Sequence, residues 1–217
     1  MNFTFTVEEL ASIRTLFGVK VLEVRTAHPW FTQIGWHGSR RCDLITENGA
    51  IGLRASLVEF PHERAVGELT QLSVIGNADT VPWPLADHKG YERRSHRSVV
   101  LNQEIVGARV IQETVWLKDN DKELLRFKRD LGFFLITRGA NQLSALDTDD
   151  EWTEIDGEDP TANLYFGATA HQTHVEVDVR LLGATESRFG IHCFPGNGII
   201  DVRLGETLHH RLSSVEV

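Results

Sequence analysis

A mainly β fold is predicted, an antiparallel β-meander or a partly open barrel or sandwich with one short N-terminal α-helix. Three observations predict it. The phrase Asn48-Gly49-Ala50-Ile51-Gly52-Leu53-Arg54 returns as Asn197-Gly198-Ile199-Ile200-Asp201-Val202-Arg203, with a related Leu131-Gly132-Phe133-Phe134-Leu135-Ile136-Thr137 between them. Each copy reads as a turn followed at once by a strand. The run from His174 to Leu181 alternates polar and apolar without a break, the period of a half-buried strand. Helical periodicity is clear in one place only.

That place is the N-terminus. Thr6 is a good N-cap, and Glu9 three residues later completes a capping box. Val7, Leu10, Ile13, Leu16 and Phe17 recur at helical spacing, and Gly18 marks the end. Val19, Val21 and Val24 then begin a strand. Cys42 to Thr46 and Ala50 to Val58 form a hairpin around Asn48-Gly49, since both turn residues tolerate positive φ. A further strand covers Leu69 to Ile75. The stretch from Gly76 to Ser98 holds Pro82, Pro84 and Gly90 and reads as a loop between two halves.

The second half echoes the first. Ile105-Val106-Gly107-Ala108-Arg109-Val110 matches Leu16-Phe17-Gly18-Val19-Lys20-Val21 in pattern, which suggests an internal duplication. The expected units are residues 1–76, a helix plus a β-meander; 77–98, a linker; and 99–217, a second meander with C-terminal hairpins. The two meanders can also share one compact domain.

Composition narrows the function classes. The 217 residues are 41% hydrophobic and 24% charged, so the chain can build a core and is not disordered by composition. A formal net charge of −9 disfavours nucleic acid and anionic lipid as partners and favours a basic protein surface. The first residues lack the basic and apolar regions of an export signal, and no apolar run approaches the roughly 18 residues of a membrane span. Cys42 and Cys193 are far apart and read as two buried thiols. A cytoplasmic location is the resulting expectation.

The signatures of phosphate loops, dinucleotide folds, serine-hydrolase elbows, zincins and paired C-x-x-C sites are absent. Four segments carry candidate chemistry. His171-x-x-His174 with Glu176 supplies metal-ligand types, with His192, His209 or His210 as a third donor, if His171 folds back from a loop. Asp147 to Asp159 is rich in carboxylates; its glycine falls too late for an EF-hand, and Asp149, Asp150 and Glu151 suit a basic partner. Arg93, Arg94 and Arg97 beside Tyr91 suit a phosphate or carboxylate. Trp30, Trp36, Arg40 and Arg41 lie in an insertion with the makings of a binding hot spot.

These readings converge on a non-enzymatic, protein-binding β protein, with an immunity or antitoxin-like role as its concrete form. Its acidic and aromatic loops would hold a partner with a basic surface, and no cofactor is expected. Two alternatives remain open. One is a metal-dependent hydrolase using His171, His174 and Glu176. The other is a small-molecule scaffold with Trp30, Trp36 and Arg40 around a ligand.

Overall fold

The computed structural model describes residues 3–26, 30–32, 35–37, 41–59, 66–78, 97–138, 142–146, 152–156, 163–171, 174–182, 198–201 and 206–217. The fold is mainly β. Helix α1 (Val7–Arg14) precedes β1 (Lys20–Thr26), β2 (Trp30–Thr32), β3 (Gly35–His37), β4 (Arg41–Thr46), β5 (Gly49–Glu59) and β6 (Val66–Ile75). There follow β7 (Arg97–Asp119), β8 (Lys122–Arg138), β9 (Gln142–Leu146), β10 (Trp152–Asp156), β11 (Asn163–His171), β12 (His174–Leu182), β13 (Gly198–Asp201) and β14 (Glu206–Glu216).

The helix forms as its sequence predicts. Glu9 N–H donates to Thr6 Oγ1 at 3.1 Å, and Thr6 N–H donates to Glu9 Oε2 at 2.8 Å, closing the capping box. Ile13 and Leu16 are fully buried, whereas Val7 at the first turn is 75% exposed and takes no part in the core. The helix ends earlier than Gly18, at Thr15, and a tight turn carries the chain on to Gly18 at φ 71. The Gly18 N–H then donates to the Ile105 carbonyl.

The strands form one sheet in the order β13-β6-β5-β4-β1-β7-β8-β11-β12-β3-β2. Every strand pairing is antiparallel. Two four-strand meanders, β6-β5-β4-β1 and β7-β8-β11-β12, meet at the β1–β7 pair. The sheet is not a closed barrel. It coils so that β12 packs against β4 and β5, and β11 against β5 and β6. A single buried cluster fills the space between. It includes Val21 and Val24 of β1, Leu44 of β4, Leu53 of β5, Leu72 of β6, Phe133 and Leu135 of β8, Leu164 and Phe166 of β11, and Val177 and Val179 of β12. The coil also explains the β2–β3 hairpin. It leaves the chain after β1, yet pairs with β12 at the opposite end of the sheet order.

The recurring phrases prove to be structurally different. At the first, Glu47 and Asn48 are the loop residues and Thr46 faces Gly49. Gly49 takes positive φ (128), and Asn48 does not. Thr46 Oγ1 donates to the Gly49 carbonyl and accepts from the Asn48 N–H, so a hydroxyl fixes the turn one residue before the expected place. The second phrase is not a turn. Leu131 and Gly132 lie inside β8, at a register shift opposite Ile111 and Gln112. A Cβ at Gly132 would collide with the Phe166 carbonyl oxygen, so glycine there permits close approach of β8 and β11. The actual turn is Asn120-Asp121, with Asn120 at φ 53. In the third phrase, Gly198 opens β13 on the edge of β6, and Asn197 lies outside the described residues.

The segments matched as copies around Gly18 and Gly107 also differ locally. Phe17 leaves the helix, Ile105 sits mid-strand, and the two bridge one another in parallel. The linker expected at 77–98 lies mostly outside the described residues, which resume at Arg97 with β7.

Candidate functional site

The candidate residues fall into three groups. The first is the far end of the sheet. Trp30 and Trp36 lie in β2 and β3, where Trp36 faces Phe31 on one side and Val179 on the other. His37 is paired with Trp30 and Asp178. In β11 and β12 the hairpin register sets His171 directly opposite His174, and Thr169 opposite Glu176. His171 is therefore a strand residue and needs no loop to bring it near His174. Opposed residues of an antiparallel pair share a face, so positions 171, 174, 176, 178 and 37 share one face of the sheet. Val177 and Val179, at the alternate positions, are buried in the core.

The second group is internal. Arg41 is 4% exposed, and its guanidinium donates twice to Asp43, from Nε at 2.8 Å and from an η nitrogen at 2.7 Å. The same η nitrogen donates to the Ala78 carbonyl at 3.2 Å. Gly52, opposite Asp43, leaves room for this group, since a Cβ there would press on Ala78 and the Asp43 carboxylate. Arg41 is thus a buried ion-pair member, although its neighbours in sequence suggested a contact surface. Arg41 is buried because β4 is covered on both faces from Arg41 to Leu44. Cys42 is fully buried, as expected, and burial pushes its thiol well above the usual range, with Asp43 adding to the rise.

The third group is Arg40, Asp149, Asp150, Glu151, Arg93, Arg94, His192 and Cys193, all of which lie outside the described residues. Among the residues whose side chains are described, which do not include His171, His174 and Glu176, no group of three His, Cys, Asp or Glu able to hold a metal occurs. No described helix is long and apolar enough to cross a membrane.

A cleft of about 390 Å³ lies between α1 and the β4–β5 turn, lined by residues including Ser12, Thr15, Thr46, Asn48 and Asn77. None of its lining residues is an acid, a base or a thiol. Ser12 and Thr15 donate to helix carbonyls, and Thr46 to Gly49, so its hydroxyls serve local structure. Nothing in this cleft equips it for acid–base or nucleophilic work.

Two features escaped sequence reading. Asp130 is 4% exposed and ties the N-terminal segment to β8. Its Oδ2 accepts the Phe5 N–H at 2.7 Å and its Oδ1 accepts Gln112 Nε2 at 3.0 Å, while its own N–H donates to the Phe3 carbonyl. Burial raises its pKa, these hydrogen bonds oppose the rise, and Glu9 adds to it. The other feature is a cross-strand ladder of His209 (β14), Trp116 (β7) and Arg126 (β8). The imidazole stacks on the indole at 5.7 Å between centroids, and the guanidinium lies 5.6 Å from the indole centroid. The available signal was the alternation of Arg126 with Lys128 in β8, a strand with a basic face.

The chain matches no protein-family model, no curated protein and no solved structure at a significant level. The fold defines a class by architecture alone, an open and coiled antiparallel β-sandwich with an N-terminal helix.

Proposed function

We propose that the chain is a non-enzymatic cytoplasmic protein that binds a partner with a basic surface, in the manner of an immunity protein or antitoxin. The observation that carries this reading is the position of the β2–β3 hairpin. It ends the sheet order beyond β12 and places Trp30, by register with His37 and Asp178, on the face away from the core, while Trp36 shares the core face with Val179. Terminal strands are where proteins meet added segments, and tryptophans are the commonest anchors of such contacts. The carboxylates Asp149, Asp150 and Glu151 supply the charge that complements a cationic cleft.

The test is capture of a stoichiometric partner by the tagged full-length chain from its native host. Serine at 149, 150 and 151 should weaken capture by at least about tenfold and steepen its loss with salt. Unchanged capture in that variant, or no partner at all, would sink the reading.

A second reading has a specific observation in its favour. The register places His171 opposite His174, with Glu176 on the same face, so two ligand types, imidazole and carboxylate, share a face without a loop. Untagged protein should then carry zinc or another transition metal in stoichiometric amount. Substoichiometric metal by elemental analysis excludes it.

A further inference from the structure

We propose that the outer edge of β14 accepts an extended, acidic segment of a partner protein as an added strand. The inference stands apart from the acidic-loop reading, because it rests on other residues and on a surface of opposite charge.

Three observations carry it. First, β14 is 11 residues long and, among the described residues, pairs with β7 alone. Its outward row of N–H and C=O groups is a template for a further strand. Ser213, Ser214, Val215 and Glu216 are exposed along it.

Second, the face beside this edge is cationic although the chain carries −9 overall. The register forms three cross-strand rows over β14, β7 and β8: Arg211–Thr114–Lys128, His209–Trp116–Arg126 and Thr207–Lys118–Glu123. Arg126, Lys128 and Arg211 are exposed and Lys118 is half-buried. Four cations thus share the face with two carboxylates: Glu123, which Arg126 already pairs in two hydrogen bonds, and Asp130, which is buried and accepts from Gln112 and the Phe5 N–H. A strand added to β14 would set alternate residues beside His209 and Arg211, with Arg126 and Lys128 behind them.

Third, the arrangement favours a polypeptide over nucleic acid. Trp116 has His209 against it and Arg126 over its ring, so the indole is a poor platform for a base. The net negative charge repels a long polyanion beyond the patch, whereas a short acidic segment stays within the roughly 8 Å over which surface charge acts at physiological salt.

The probe is a fluorescein-labelled peptide of strand length in which Glu alternates with Thr, titrated by anisotropy against the full chain. It should bind, and binding should weaken as salt rises. Arg211→Glu and, separately, Lys128→Glu should each weaken it by about tenfold or more while leaving the far-ultraviolet circular dichroism unchanged. Methylating alternate amides of the peptide should abolish binding, because the backbone pairing is lost. Absence of binding, equal binding of a Gln/Thr peptide or of the N-methylated one, or tighter binding of an oligothymidylate of equal charge would each overturn the proposal. Serine at 149, 150 and 151 should leave peptide binding unchanged, which separates this surface from the acidic loop.

Discussion

The two meanders have the same strand order and very different strands. In the first, β1, β4, β5 and β6 have 7, 6, 11 and 10 residues. In the second, β7 has 23 and β8 has 17. A strand of β7's length spans about 75 Å if straight, several times the length of an ordinary one. The short strands are held by the shared core on one face and by the Arg41–Asp43 group under Ala78 on the other. The long hairpin outruns that core. Its outer part is held by different means: register shifts that bend it, β14 along its edge, Phe3 packed with Leu69 and Leu117, and a buried Arg129–Glu113 pair whose arginine also reaches the Thr70 carbonyl. Among the described residues, each meander therefore carries one buried ion pair where the apolar core does not reach.

That pairing suggests how to break the comparison. Glu113→Ala leaves Arg129 buried without this carboxylate, and Asp43→Ala does the same to Arg41. Each should destabilise by about 3–5 kcal/mol, measured by urea unfolding. If Glu113→Ala were nearly neutral, the outer hairpin would be loosely attached and the equivalence would fail. Next in size is Gly132→Ala, which sets a methyl against the Phe166 carbonyl and should cost about 3 kcal/mol through forced separation of β8 and β11. Gly107→Ala, whose Cβ would meet only the end of Ile136, should cost much less.

Asp130 sharpens the comparison through pH. Its folded pKa is raised above the unfolded value, so the folded state binds a proton more tightly. The associated stability is fully present below about pH 4, the unfolded value, and is lost as pH rises through the folded pKa. Asp130→Asn removes this slope. The stability of the native protein relative to the variant should fall as pH rises from about 4 toward neutrality, read from urea midpoints across that range. A flat difference would mean the carboxyl is not desolvated by the N-terminal segment. Smallest of all is Arg126→Ala on the exposed ladder, which should barely move the urea midpoint, because solvent screens its contacts with Trp116 and Glu123.

Much of the fold was legible because its signals are local. The capping box of Thr6 and Glu9, the alternation through Val177 and Val179, and the β4–β5 hairpin all depend on neighbours within a few residues. The errors arose where tertiary contact decides. Gly132 looks like a turn glycine, but its lack of a side chain serves the approach of β11, thirty-odd positions away in sequence. Arg41 looks like a surface residue beside Arg40, but the turn at Ala78 closes over it. The His171–His174 relation depends on a hairpin register that spacing alone does not specify. The Trp116 ladder joins three strands and has no contiguous motif.

The central claim is that both meanders fold around one core and unfold together. Leu53→Ala in the first and Phe166→Ala in the second test it directly, with unfolding followed by tryptophan fluorescence and far-ultraviolet circular dichroism. Both side chains are fully buried in the same cluster, so each loss should cost about 3–5 kcal/mol. The expected result is one transition, coincident by both probes and shifted as a whole by either substitution. Two separate transitions, with each substitution moving only one, would contradict the shared core.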